Sequence, residues 1–171
     1  ESFDTQTEHE AAIAEAIHHH RSEFVFLAGY MSILSGNFVN LFAGQIINIH
    51  PSLLPAFKGL NTHQRAIDEN AATHGVSVHV VTAGLDEGPI IAQASLPLMA
   101  SDTAESLEAR VLQLEHQIYP FVLFGLAKKF LSLSPEGATW RAPSFSLADA
   151  PAPMHNSLFQ YLIWPTLTSK K

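Results

Sequence analysis

The sequence predicts an α/β fold built on a mixed sheet, and two observations lead to this prediction. An apolar run at 24–28, an amphipathic pattern at 34–43 and a second apolar run at 46–49 follow one another as strand, helix and strand. An apolar, β-branched run at 76–82 is joined by a short turn to a second predicted strand at 89–96, and so short a connection favours an antiparallel pair. We therefore expect parallel and antiparallel strands in one sheet.

The first predicted helix covers 6–20, where alanine and isoleucine residues between 11 and 17 give one apolar face. His18, His19 and His20 stand at its end and invite a metal-site interpretation. Adjacent residues on a helix point in different directions, so these three rings cannot converge on one ion. We interpret them as a solvated helix end.

A second helix is predicted after the central loop, over 62–72. Thr62 is a plausible N-cap, and the helix should end near 74–75, where a glycine follows a histidine. Residues 130–133 are expected to add a short edge strand.

A long helix is predicted to begin at Asp102 or Thr103, with Glu105 close to the capping-box position. It should end near 128–129, where two lysines suit a helix terminus. Its apolar positions recur at helical spacing: Leu107, Val111, Leu114, Ile118, Val122 and Leu126.

Composition narrows the class of protein. At 171 residues with 47% apolar content, the chain suits one globular core. A net charge of −7 with nine Lys and Arg argues against a nucleic-acid groove and favours a small-molecule partner. The absence of cysteine excludes disulfides and thiolate chemistry, and no apolar run reaches membrane-spanning length. We expect a soluble, cytoplasmic protein that binds neither nucleic acid nor membrane.

The predicted domain organisation is a catalytic domain at 1–137 followed by a linker and tail at 138–171. Residues 142–153 are rich in Ala, Pro and Ser, which is typical of a linker. The apolar tail 158–167 is interpreted as a strap packed over an apolar surface or, alternatively, as a contact between copies in a homo-oligomer.

The central segment, 45–59, is the most informative part of the chain. A short apolar strand enters a loop stiffened by two prolines, and Asn48 and His50 lie two residues apart on that strand. This spacing places both side chains on one face, at the carboxyl end where open α/β sheets bind ligands. Taken alone, the pair could also consist of turn-forming polar groups bonded to backbone.

Several motifs resemble one known family. Asn-Ile-His-Pro-Ser-Leu-Leu-Pro at 48–55 is followed by Lys-Gly-Leu-Asn-Thr-His, Ser-Val-His at 77–79, Leu-Asp-Glu-Gly-Pro-Ile-Ile at 85–91 and Leu-Glu-His-Gln-Ile-Tyr-Pro at 114–120. In this order they resemble the glycinamide ribonucleotide formyltransferase family of purine biosynthesis over roughly 3–133. The resemblance implies a three-layer, Rossmann-related α/β fold with a mixed, mostly parallel sheet and helices on both faces. It implies formyl transfer from 10-formyltetrahydrofolate to the amine of glycinamide ribonucleotide, without a metal.

Formyl transfer passes through a tetrahedral intermediate with a negative oxygen, so it needs a hydrogen-bond donor and a group that moves protons. By resemblance, Asn48 binds the formyl oxygen and His50 donates the proton. Asp86 would favour the charged imidazole, orient it and relay the proton through water, with Glu87 as a rival carboxylate. His79 is more often a core histidine, and we leave it, His63 and His116 out of the catalytic set.

The resemblance also assigns two binding regions. The cofactor-binding set is Met31, Ser32, Ile33, Leu34, Asn48, Thr82, Ala83, Gly84, Leu85 and Asp86. The substrate-binding set is Leu112, Gln113, Leu114 and Glu115, with Glu115 as the main polar contact.

The chain departs from the family pattern in several places. The family's opening strand and glycine-rich phosphate turn have no counterpart, so the fold is expected to be N-terminally incomplete, with a sheet edge that the apolar tail could cover. Gln6 and Ser32 stand where many relatives carry a basic residue near the folate, and Asn61 replaces a histidine.

Three alternative functions remain. A formyltetrahydrofolate hydrolase needs almost the same machinery, with water replacing the amine. A relative acting on initiator methionyl-tRNA is disfavoured because the acidic chain lacks a basic domain. A non-catalytic folate-binding or assembly module would have lost the phosphate site of the substrate.

Overall fold

A computed structural model describes residues 3–140 and 162–163, and these contain four helices and seven strands. The helices are α1 (Gln6–His19), α2 (Gly36–Leu41), α3 (Thr62–Asp68) and α4 (Ala104–Ala127). The strands are β1 (Val25–Leu27), β2 (Ile46–His50), β3 (Thr73–Val80), β4 (Ile90–Pro97), β5 (Leu131–Ser134), β6 (Gly137–Trp140) and β7 (Leu162–Ile163).

A five-stranded sheet in the order β1-β2-β3-β4-β7 forms the centre of the fold. β1 and β2 are parallel, whereas β2-β3, β3-β4 and β4-β7 are antiparallel. The predictions of a mixed sheet and of an antiparallel pairing between β3 and β4 are confirmed. The described strands are mainly antiparallel rather than mostly parallel, because the chain reverses direction at β3 and again at β4.

Helices cover both faces of the sheet, as predicted. On one face, α4 packs its apolar positions against residues of β2, β3 and β4, including Ile47, Val78 and Ile91, all fully buried. On the other face, Ile17 of α1 and Phe38 of α2 pack with Ile46 of β2. Ile46 and Ile47 belong to different clusters because successive strand residues point to opposite faces.

The boundaries of α3 differ from the prediction. Asn61, in the left-handed region at φ 56°, is the N-cap, and Thr62 is the first helical residue. The helix ends at Asp68, and the His74-Gly75 pair lies within β3, opposite Leu96 and Ser95 of β4. Any Cβ on Gly75 would collide with the backbone of β4, so this glycine marks a close approach of two strands rather than a helix end.

Two smaller expectations also differ. Thr103 caps α4, but the reciprocal bond of the capping box comes from Ser106 rather than Glu105. β5 is not an edge of the main sheet, because it pairs with β6 in a separate two-stranded sheet.

The tail is described only at 162–163, which form β7 against β4. This strand adds to the edge opposite β1, so these two residues do not cover the edge at β1. The linker at 142–153 and the remainder of the tail lie outside the described residues. No helix in the described ranges has both the length and the apolarity to cross a bilayer.

The contact between buried His74 and half-buried His63 predicts that the stability of the fold is sensitive to acid. His74 is 0% exposed, and its Nε2 lies 3.1 Å from Nδ1 of His63. Burial, with a further contribution from His63, lowers the pKa of His74 from 6.5 to about 4. Between about pH 6.5 and pH 4, His74 is therefore protonated in the unfolded chain but neutral in the folded chain. The free energy of unfolding falls as the pH drops below about 6.5, and this loss levels off near pH 4.

We expect His74 to account for about 2 kcal/mol of lost unfolding free energy between pH 7 and pH 4.5. Urea denaturation of the wild type, His74→Gln and the exposed-site control His20→Gln at both pH values measures this difference. The His74 variant should lose less stability on acidification than the other two proteins. An identical loss in all three would contradict the assignment.

Candidate active site

Polar side chains lie on one face of β2 and β3, beyond the part that α1 and α2 cover. Asn48 stands opposite His79, and His50 stands opposite Ser77, so the four side chains share this face. The alternate residues face the apolar cluster beneath α4. The prediction that Asn48 and His50 emerge together at the end of the strand is confirmed.

The loop after β2 is held over this polar face by buried hydrogen bonds. The Ser77 hydroxyl donates to the Ser52 carbonyl at 2.6 Å and accepts from the Leu54 amide at 3.0 Å. The Gln93 amide on β4 donates to the Leu54 carbonyl at 2.9 Å. These bonds fix the loop on the sheet and bring its later part, around Phe57, against His50.

His50 is 6% exposed, and both of its ring nitrogens face oxygens that accept hydrogen bonds. Nε2 lies 3.0 Å from the Phe57 carbonyl, and Nδ1 lies 3.4 Å from Oδ2 of Asp86. A carbonyl can only accept, so Nε2 carries a hydrogen. A hydrogen on Nδ1 would face the Asp86 carboxylate, so each ring nitrogen of His50 has an oxygen acceptor beside it.

Asp86 connects the turn after β3 with the loop after β2. Its Oδ2 accepts a hydrogen bond from the Gly59 amide at 2.9 Å, and its Oδ1 lies 3.6 Å from Nε2 of His79. Its side chain is 9% exposed and its φ is 51°, a left-handed conformation that aspartate tolerates. Glu87 is 58% exposed and pairs with Lys58 at 2.9 Å instead. Of the two candidate carboxylates, the structure brings only Asp86 to the histidines.

His79, which the sequence interpretation left out, lies at the centre of the cluster. Its Nδ1 donates to the Val80 carbonyl at 3.0 Å, so in the neutral ring Nε2 is an acceptor. Nδ2 of Asn48 lies 3.4 Å from that Nε2. A hydrogen bond from Nδ2 of Asn48 to this nitrogen fixes the orientation of the Asn48 amide. The second N–H of Asn48 then remains available for another acceptor.

The electrostatics of His79 agree with this arrangement. Burial lowers its pKa, and the His50 ring lowers it further, against the opposing effects of the Val80 carbonyl and Asp86. A signal for His79 was present in the sequence, because Ser77 and His79 repeat in an apolar strand the two-residue spacing of Asn48 and His50.

The predicted cofactor-binding segment between β1 and α2 is open to solvent. Met31 is 80% exposed and Ile33 76% exposed, whereas Leu34 packs partly into the cluster beneath α1 and α2. Ser32 and Ile33 line an open cleft of about 730 Å³ together with Gln6 and His9 of α1, residues 3–5 before that helix and Tyr30.

The other part of the predicted cofactor set, Thr82, Ala83, Gly84, Leu85 and Asp86, forms the turn after β3. Leu85 is 57% exposed on this turn, and Leu60 on the neighbouring loop is 70% exposed. Met31 and Ile33 on the segment after β1 are likewise exposed apolar side chains.

The predicted substrate residues lie on α4, which packs on the opposite face of the sheet from the polar cluster. Leu112 is 44% exposed and Gln113 is exposed, while Leu114 is in the core. Glu115 is half-buried, and burial, with a contribution from Glu108, raises its pKa against the opposing effect of His116. The structure does not bring these four residues into the hydrogen-bonded cluster.

No group of three or more His, Asp or Glu side chains in the described ranges is arranged to hold a metal ion. The cluster is held together by hydrogen bonds: Asn48 donates to His79, His50 donates to the Phe57 carbonyl and Asp86 accepts from the Gly59 amide.

Comparison with known proteins places these features in a family. A family model described as formyl transferase matches residues 1–123. The chain is 42% identical to phosphoribosylglycinamide formyltransferase of Escherichia coli over 139 residues, which are 81% of this chain and 65% of that protein. The chain thus spans slightly less than two thirds of the length of this relative.

Solved structures agree with this match. Glycinamide ribonucleotide transformylase 1 from Symbiobacterium toebii is 40% identical, with a TM-score of 0.75 over 82% of this chain and 66% of that chain. A formyltetrahydrofolate deformylase from Pseudomonas syringae is 28% identical, with a TM-score of 0.71 over 77% of this chain and 44% of that chain.

The hydrogen bonds of His79 predict its protonation state. Near pH 7 we expect a neutral ring with the hydrogen on Nδ1, because Nδ1 donates to a carbonyl and Nε2 accepts from Asn48. Long-range proton–nitrogen NMR correlations of the ring report this tautomer directly, with exposed His20 as a reference ring. A hydrogen on Nε2 at this pH would contradict the proposed orientation of the Asn48 amide.

Proposed function

Because the chain belongs to the formyl transferase family, we propose that it transfers a formyl group from 10-formyltetrahydrofolate to the amine of glycinamide ribonucleotide, a step of purine biosynthesis. The observation that carries this proposal is that Asn48, His50 and Asp86 lie in one polar cluster of buried and half-buried side chains. The proposed setting is the cytoplasm, with small molecules as partners and a homo-oligomer as the proposed assembly.

The proposed reaction joins the substrate amine to the formyl carbon and then breaks the bond from that carbon to N10 of the folate. The intermediate carries a negative oxygen, and the free N–H of Asn48 is the donor proposed to stabilise it. The amine loses a proton and N10 gains one. We assign the donation to His50, and we assign to Asp86 the orientation of His50 and the relay of the proton through water.

Two surfaces are proposed to hold the ligands. The folate would contact Met31, Ser32, Ile33 and Leu34 together with the turn 82–86, since exposed apolar side chains on both suit an aromatic ring system. Leu112, Gln113, Leu114 and Glu115 remain our proposal for the substrate side. The half-buried carboxylate of Glu115 is the polar group there that could accept hydrogen bonds from a sugar hydroxyl.

A formyltetrahydrofolate hydrolase is the second candidate. The same donor and proton-transfer groups would serve if water attacked in place of the amine. The likeness to the Pseudomonas syringae deformylase supports this alternative less than the nearer identity to transferases supports the first. A non-catalytic folate-binding or assembly module is the third.

The deciding experiment follows deformylation of 10-formyltetrahydrofolate by the purified protein, with and without glycinamide ribonucleotide. It measures the formylated product and free formate separately. Formylated product that depends on the amine is the expected result. Formate release alone would favour the hydrolase, and folate binding without turnover would favour the module.

Replacing Asp86 by Asn tests the proposed proton relay. We expect kcat to fall by about 100-fold or more while the Kd for the folate changes only a few-fold, because the change alters proton handling more than shape. Glu87→Gln is the matched control, since it removes a neighbouring carboxylate that is exposed and faces Lys58.

Steady-state kinetics and equilibrium folate binding of both variants provide the comparison. Glu87→Gln should keep kcat near the wild-type value. Parallel losses of turnover and binding in Asp86→Asn would show that Asp86 shapes the pocket instead.

A further inference from the structure

A second carboxylate, Glu10 on α1, is buried outside the polar cluster. It is 8% exposed and accepts three hydrogen bonds. These come from the Ser35 amide at 2.7 Å, the Ser35 hydroxyl at 2.5 Å and the Gln6 side chain at 2.9 Å. Burial raises the pKa of Glu10, but these hydrogen bonds outweigh burial and hold the pKa below its usual value. Glu10 is therefore an ionised acceptor at neutral pH.

The bonds of Glu10 and Gln6 reach a segment that is neither helix nor strand, residues 29–35. Gln6 bridges the two parts, because its Nε2 also donates to the Ile33 carbonyl at 2.8 Å. Ser35 ends the segment and caps α2 by accepting from the Phe38 amide at 3.2 Å. The exposed Met31 and Ile33 thus belong to a segment whose backbone is hydrogen-bonded to α1 at Ile33 and Ser35.

The held end of the segment lies beside the turn that carries Asp86. Gly36 follows Ser35, and a Cβ at Gly36 would be in ordinary van der Waals contact with the Ala83 side chain, 3.9 Å away. Moving Ser35 would therefore move the segment relative to Ala83, three residues before Asp86 in the chain. Charged hydrogen bonds resist such movement more strongly than neutral ones.

We propose that Glu10 is a positioning residue for cofactor binding, which holds Ile33 and Ser35 so that the segment 29–35 stays in place beside the turn of Asp86. This inference rests on the proposed function, because the cofactor is the formyl folate. A purely structural carboxylate would change stability without a selective effect on folate affinity.

Glu10→Gln is the test variant, because it keeps the shape and places an amide N–H₂ where the carboxylate accepts from Ser35. We expect the KM and Kd for 10-formyltetrahydrofolate to rise about tenfold with kcat within about twofold, which corresponds to losing one charged hydrogen bond. Hydrogen exchange at the Ser35 amide should become at least about tenfold faster. Glu15→Gln is the matched control, since Glu15 is an exposed carboxylate on the same helix.

The outcomes separate this inference from the proposed function. A rise in the folate Kd together with faster exchange at Ser35, in Glu10→Gln but not in Glu15→Gln, would support the proposal. Faster exchange with an unchanged folate Kd would overturn it, as would unchanged exchange. A wild-type protein that binds no formyl folate would refute the proposed function and with it the cofactor role of Glu10, while the exchange data would still show whether Glu10 holds the segment.

Discussion

The carboxylate of Asp86 lies buried between two histidine rings and a backbone amide, and the arrangement of the site depends on it. A buried charge is costly unless it is paired and hydrogen-bonded. Asp86 meets that requirement through His50 at the end of β2 and the backbone amide of Gly59. Strand β2, the loop at Gly59 and the turn that carries Asp86 must therefore be correctly placed together, or the carboxylate remains unpaired.

The central sheet makes this placement possible because one of its faces packs into the apolar core and the other carries the polar side chains. On the face beneath α4, the apolar side chains of the strands form one continuous cluster with the helix, and this packing fixes the backbone of β2 and β3. On the other face the same strands carry Asn48, His50, Ser77 and His79, whose polar atoms bond to one another or to the loop after β2. The apolar core and the polar cluster are thus separated by the two-residue period of a strand.

The parts of this site that follow from local spacing were predictable from the sequence. Asn48 and His50 share a face because they are two residues apart on one strand, and the apolar face of α4 follows from its helical period. His79 was missed because its neighbour, Asn48, is set by the register between β2 and β3, which no local pattern contains. The end of α3 was misplaced because strand pairing at Gly75 overrides the apparent helix stop. The buried contacts of Glu10 do not follow from any local pattern, since its partner Ser35 lies 25 residues away.

The ion pair between Lys58 and Glu87 links the same two loops as the Gly59–Asp86 bond, but at the surface. An exposed pair of this kind contributes about 0–1 kcal/mol, and dissolved ions screen it. The buried bond is largely shielded from that screening. Higher ionic strength would therefore weaken the Lys58–Glu87 contact at the surface while the buried Gly59–Asp86 bond persists. Binding and release of the proposed ligands at the surface would then depend on salt more than the proposed proton transfer at Asp86.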